Sequence, residues 1–210
     1  HTGSDHLACA PFDHLPGGKP VLPGASVSFS VSHAAGRALV GLSSKTKVGV
    51  DLEREHKLRM PPARQAALIE AADALPIVYR SDQPQDPQND QPANELASSQ
   101  VLRAWVRLEA LAKFDGIGMG RLLTAAGVFG RHYNDDDERD TGRHPQSKPL
   151  DWPGAIMEPV NAILDLPVPA DSAGTPWYGA LVANLALLQQ KNIDVRLLPI
   201  EPSDLARLTT

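Results

Sequence analysis

A chain of 210 residues, 42% hydrophobic and 21% charged, is long enough to bury a core as one domain or as two fused small ones. Its net charge of −5 at pH 7 argues against a duplex nucleic-acid binder, which needs a basic face. The single cysteine, Cys9, excludes an intrachain disulfide framework and fits a reducing, cytoplasmic compartment. No apolar run reaches the roughly 20 residues of a membrane span, and the longest, from Leu181 to Leu188, is interrupted by Asn184.

The chain opens on His1-Thr2-Gly3-Ser4 without a methionine or a signal-peptide pattern, a start that reads as processed, trimmed or incomplete. Residues 1–25 are rich in proline and glycine, including Gly17-Gly18-Lys19-Pro20, and read as loop. Residues 27–32 alternate apolar side chains with serine, and 37–42 form a second short apolar run; each suits a strand. In Val48-Gly49-Val50-Asp51-Leu52-Glu53 the alternation is complete, with Val48, Val50 and Leu52 pointing one way and Gly49, Asp51 and Glu53 the other. The short links predict a three-stranded antiparallel meander. His33 would then lie at the same end of the sheet as Asp51 and Glu53, two strand spacings or roughly 10 Å away. Such a gap suits a pyrophosphate with a bound metal. The two carboxylates, roughly 6.5–7 Å apart along the strand, repel each other unless a cation sits between them.

Residues 62–75 read as a helix, and 80–100 as a polar, proline-rich loop. A helix is expected over 99–114, ended by Gly116. Its wheel gathers Val101, Ala104, Trp105, Leu108, Leu111 and Ala112 into one apolar arc, turns Arg103 and Arg107 away, and sets Glu109 with Lys113 on the arc's edge. A second polar stretch covers 132–148. A helix is expected over 177–191 and a strand over 195–200, and no internal repeat is found.

Bland explanations exist for each feature alone. Asp51 and Glu53 could be the wet face of an edge strand, Glu109 and Lys113 an i, i+4 pair contributing roughly 0.2–0.5 kcal/mol, and His33 an exposed loop histidine. The glycines at 116, 118 and 120 end a helix, whereas a dinucleotide or P-loop cradle needs a helix N-terminus behind the phosphate. One cysteine and scattered histidines show no zinc-ligand spacing, and no G-x-S-x-G elbow occurs.

Taken together, Gly18-Lys19-Pro20, Phe29-Ser30-Val31-Ser32-His33, the 48–53 strand, Trp105 to Lys113 and the following Gly116 to Gly120 resemble the 4′-phosphopantetheinyl transferase family. The likeness is to the larger type, which activates carrier domains of peptide and polyketide synthases. It covers four or five short motifs in the right order. The resemblance implies an α+β fold of two pseudo-twofold-related halves, each a small antiparallel sheet with a packed helix, and a cleft between them. Residues 1–46 would form the first half and 47–210 the second, with polar insertions near 80–98 and 131–150. It further implies a monomer that transfers 4′-phosphopantetheine from coenzyme A to a serine of an acyl or peptidyl carrier protein and releases 3′,5′-ADP. Asp51, Glu53 and Glu109 would hold Mg²⁺, Lys113 would meet the coenzyme A pyrophosphate, and Lys19, Ser32 and His33 its phosphates. Glu109, or a bound water, is the candidate base for the serine proton, and Lys113 would stabilise charge on the leaving diphosphate. No nucleic-acid or membrane partner is expected.

Two departures stand out. The family helix usually reads Trp-x-x-Lys-Glu, but here Leu108 stands at the lysine position. Only 50 residues precede Asp51, about half the usual number, so the first half is expected to be incomplete or reduced. The alternatives are a non-catalytic paralogue that binds coenzyme A or a carrier protein, and an unrelated metal-dependent phosphohydrolase.

Overall fold

The computed structural model describes residues 12–15, 18–78, 98–129, 158 and 161–189. The polar insertions near 80–98 and 131–150 (Ser98 apart) and the strand expected over 195–200 lie outside the described residues. Within them the architecture is mixed α+β, with small sheets and four helices. A short pair, β1 (Asp13–His14) and β2 (Pro20–Val21), precedes a hairpin of β3 (Ser28–Ala34) and β4 (Arg37–Ser43). The hairpin turns on Ala35 and Gly36, both at positive φ, +40° and +80°, as a two-residue type I′ turn requires. The main sheet runs β5-β8-β7-β6, built from β5 (Gly49–Arg54), β8 (Trp177–Asn184), β7 (Asn161–Leu166) and β6 (Ile77–Val78); only β6 and β7 are parallel. The helices are α1 (Pro62–Asp73), α2 (Ser98–Asp115), α3 (Met119–Ala125) and α4 (Leu185–Gln189).

The expected three-stranded meander is corrected here. β3 and β4 pair as anticipated, but β5 belongs to the other sheet, where β8 is its partner. The reason is the alternating serines. Ser28, Ser30 and Ser32 turn towards β5, and their hydroxyl oxygens accept hydrogen bonds from the backbone N–H groups of Val48, Val50 and Leu52 at 3.2, 3.1 and 3.2 Å. Side-chain oxygens thus replace the carbonyls of a neighbouring strand, and the donors on the open edge of β5 are satisfied without a main-chain ladder. The matching numbers also make β3 run parallel to β5, directly against it with no strand between. The serines therefore form the buried face of β3, while Val31 is 42% exposed, its partner Val40 on β4 is 54% exposed and Leu42, opposite Phe29, is 66% exposed.

This contact has a measurable consequence. Ser30 is 4% exposed, so Ser30→Ala leaves the Val50 N–H buried without an acceptor, at about 1–3 kcal/mol. Val31→Ala, on the open face, should change stability by no more than about 0.5 kcal/mol. Urea unfolding of the two variants checks this, and equal effects would contradict the serine contact.

The helix expected over 177–191 is also corrected: 177–184 form β8 and 185–189 are helical, while 190–191 lie outside the described residues. β8 lies between β5 and β7 and is buried on both sides, so its Tyr-Gly-Ala-Leu-Val-Ala run carries no period-2 signal. One face of the sheet, with Ala180, Val182 and Ile163, packs under α2, α1 and α3; the other, with Val50, Leu164 and Leu181, packs under Leu188 of α4 and Leu39 of β4. The expected helices at 62–75 and 99–114 correspond to α1 and α2, and Gly116 follows α2 at φ +72°. Leu108 is wholly buried in the core, as its place on the wheel requires. Arg107, expected to face away, is instead 8% exposed, and its guanidinium grips Asp165 of β7 through bonds of 2.9 and 2.6 Å. With α1 on one side and the sheet on the other, α2 has little free surface: Arg107 finds a carboxylate on the sheet, and Arg103, also expected to face away, lies over the Tyr178 ring of β8, 5.8 Å from its centroid.

Candidate metal centre

The approach of α2 to β5 begins at Gly49. A Cβ on Gly49 would stand 2.2 Å from the Ala110 carbonyl oxygen and 2.4 Å from the Phe114 nitrogen. Only glycine allows the helix so close. Two residues further on, on the same face of β5, Asp51 meets the helix positions that flank Ala110. Lys113 Nζ lies 2.6 Å from Asp51 Oδ1 and 3.4 Å from Glu109 Oε1. The next residue on that face is Glu53. One carboxylate oxygen from each of Asp51, Glu53 and Glu109 falls within 4.8 Å of the others, so the strand pair and the helix acid come together as expected.

Asp51 and Glu109 are oriented by hydrogen bonds. Ser32 donates its hydroxyl proton to Asp51 Oδ1 at 2.7 Å and accepts from Lys113 Nζ at 3.0 Å and from the Leu52 N–H. Trp105 Nε1 donates to Glu109 Oε2 at 2.8 Å. Glu53 Oε2 stands 3.9 Å from His56 Nδ1. Burial and then the nearby Asp51 push the Glu53 carboxyl above its usual range; Glu109 adds to the rise, while His56 and Lys113 oppose it. Asp51 is 1% exposed, yet its Oδ2 has no hydrogen-bond partner. A buried, unpartnered carboxylate oxygen is costly, and here it belongs to the same cluster as two further acids. An all-oxygen donor set of this kind suits a hard divalent cation such as Mg²⁺ or Ca²⁺ rather than zinc.

Beside the acids is a cleft of about 280 Å³ whose lining includes Lys19, Ser30, Glu109, Lys113, Gly116 and Met119. Lys19 reaches it, but its ammonium is engaged by the fold. It donates to the carbonyls of Val48 at 2.9 Å and Phe114 at 3.1 Å, tying the start of β5 to the C-terminal end of α2, where a cation is favourable. His33 departs from expectation. It lies on β3 next to Ser32 but on the opposite, exposed face, because successive side chains of a strand alternate. The glycines after α2 also do more than end it: Gly118, at φ +77°, is the N-cap of α3. No helix among the described residues is long and apolar enough to cross a membrane.

No family model, curated protein or solved structure matches the chain. The geometry must therefore carry the functional reading. Two contributors stand within the motifs but are given no site role by them, namely Ser30, which lines the cleft, and Trp105, which donates to Glu109. The second has a visible signal, since Trp105, Glu109 and Lys113 are spaced i, i+4, i+8 along one stripe of α2.

Lys19 makes the pH dependence testable. Burial, then Lys47, lowers its pKa from 10.5 to about 8, with Asp115 opposing. A base with a lowered folded pKa binds its proton more weakly when folded, so this group disfavours folding below about pH 8. The penalty fades as pH rises from about 8 towards 10.5. Lys19→Met, which keeps the stem but not the charge, should show a flatter rise of stability with pH across that window than the parent. Parallel curves from chemical denaturation would mean that Lys19 does not titrate there.

Proposed function

We propose that the protein is a Mg²⁺-dependent 4′-phosphopantetheinyl transferase acting on an acyl or peptidyl carrier protein. The observation that carries this reading is the convergence of Asp51, Glu53 and Glu109, with a buried unpartnered oxygen on Asp51 and Lys113 beside it. These are the residues that the family motifs assign to metal and pyrophosphate. In this reading the β3–β4 hairpin belongs to the first of two pseudo-twofold-related halves, residues 1–46, and the chain from 47 onwards is the second.

The reaction joins the carrier serine oxygen to the phosphorus that bears the pantetheine arm and breaks that phosphorus–oxygen bond to 3′,5′-ADP. The serine proton passes to a base. Asp51, Glu53 and Glu109 would hold Mg²⁺, which would supply Lewis acidity at the phosphoryl group. Lys113 contributes a cation next to the acids, able to meet the charge that develops on the leaving 5′-phosphate of 3′,5′-ADP, and Ser32 fixes both Lys113 and Asp51. Trp105 leaves Glu109 Oε1 as the oxygen turned towards Lys113, and Glu109 is the candidate base. Leu108 is too deeply buried to replace the family's lysine with any polar contact.

A second reading, binding of coenzyme A or a carrier without turnover, is favoured by two observations: the Lys19 ammonium is engaged by two backbone carbonyls, and His33 faces away. One experiment separates them. The protein is incubated with coenzyme A, Mg²⁺ and a panel of apo carrier proteins, and the carriers are weighed by mass spectrometry. A phosphopantetheine-sized gain supports the transferase. Coenzyme A binding without that gain supports the binding module, and phosphate release from small esters without a carrier supports neither.

A further inference from the structure

We propose that Trp105 is a positioning residue of the metal centre: its indole N–H holds Glu109 in the ligating orientation. The inference rests on the reading of Asp51, Glu53 and Glu109 as a divalent-cation site. The geometry behind it is local. Trp105 packs against the α2 core cluster, which fixes its ring, and Nε1 reaches Glu109 Oε2 one helical turn on at 2.8 Å. An indole has a single donor and no acceptor, so a carboxylate oxygen at that distance satisfies it fully.

Without this bond, little else would keep Glu109 in place. Its side chain is 26% exposed, its other partner among the described residues is Lys113 at 3.4 Å, and Lys113 sits closer to Asp51 at 2.6 Å. Asp51 and Glu53 repel it. A glutamate with three rotatable bonds and an open path to water would then swing outwards, where hydration is free and like charges are distant. The indole opposes that motion before any cation arrives, leaving Oε1 on the side of Lys113. Pre-orientation by an outer partner is the usual reason that such partners affect metal affinity by about 10- to 100-fold.

The test measures binding rather than turnover. Mn²⁺ is titrated by electron paramagnetic resonance into the parent, Trp105→Phe, Glu109→Gln and the double variant, with thermal melts alongside. Phenylalanine keeps a ring in the core and removes only the donor. Trp105→Phe should bind Mn²⁺ about 10- to 100-fold more weakly than the parent, whereas in the Glu109→Gln background the same change should have little further effect. A purely structural tryptophan would lower affinity equally in both backgrounds, and that result overturns the proposal. A parent that binds no Mn²⁺ overturns the cation site itself. A parent that binds, with Trp105→Phe equal to it, overturns only the positioning role. Should Trp105→Phe not fold, ¹⁵N-labelled indoles of the parent and Glu109→Gln are compared: with three tryptophans in the chain, one indole N–H resonance should move strongly in Glu109→Gln, and three unmoved resonances overturn the proposal.

Discussion

Gly49→Ala should lower folding stability by about 3 kcal/mol or more. Overpacking a core typically costs about 1–3 kcal/mol, because side chains can shift to absorb part of the added volume. Here the atoms in the way are backbone: the Ala110 carbonyl oxygen at 2.2 Å, the Phe114 nitrogen at 2.4 Å and the Phe114 Cα at 2.7 Å from the new Cβ. Neither the helix nor the strand can yield by a rotamer change. Moving α2 away would loosen the packing of Val182 and Ala180 beneath it and withdraw Lys113 and Glu109 from Asp51. Stability and site geometry should therefore fall together. For a domain stable by the usual 5–15 kcal/mol, a loss of this size is large, and a urea titration would show it as a clear drop in midpoint. A midpoint within error of the parent would mean that the close approach of α2 to β5 is wrong. Gly120→Ala serves as a control, since nothing lies within 4 Å of its Cβ position.

The same approach explains which parts of the site can be read without coordinates. Asp51 and Glu53 share a face because a strand alternates, Glu109 and Lys113 share one because a helix repeats, and these local rules hold in any tertiary setting. The α2 helix is legible for the same reason, expected over 99–114 and found as Ser98–Asp115. What local pattern cannot carry is the identity of a partner far along the chain. Arg107 on a wheel is a polar residue with water as its natural neighbour; Asp165, 58 residues away, makes it a buried one. The serines of β3 look like the wet side of a strand, and only the open edge of β5 turns them inward. β8 and β7 lack alternation because both of their faces are covered, so the first reads as a helix and the second gives no signal. The settings of Lys19 and His33 are likewise fixed by the fold and not by local pattern. Residue type suggests a role, but the β5–α2 junction claims one side chain and strand alternation turns the other outward.

Asp51→Asn should severely weaken divalent-cation binding and, under the transferase reading proposed above, slow transfer, while the protein stays folded. The substitution is nearly isosteric. Its amide oxygen can still accept from Ser32 and Lys113, the two groups now on Oδ1. Its nitrogen would occupy the place of Oδ2, the oxygen without a partner, and an amide N–H₂ cannot ligate a cation. Losing a direct ligand should exceed the roughly 10- to 100-fold cost of losing an outer partner. Removing several kcal/mol of transition-state charge stabilisation would slow transfer by roughly 10²–10⁴-fold. Stability responds to two opposed effects. Lys113 loses its nearest carboxylate, but it is 28% exposed in its side chain and retains Glu109, so it is not stranded as a wholly buried charge would be. At the same time Glu53 and Glu109 lose a like-charged neighbour, and the upward pressure on the Glu53 carboxyl eases. With a net change of about 1 kcal/mol in either direction, the melting temperature without metal should move by only about 2–4 °C. Calorimetric titration with Mg²⁺ or Mn²⁺, run beside a thermal melt, reads both quantities. An Asp51→Asn protein that binds the cation as the parent does would remove Asp51 from the ligand set. One that melts far below the parent would show that Asp51 serves mainly as the counter-charge of Lys113, with the acids gathered around a lysine rather than a metal.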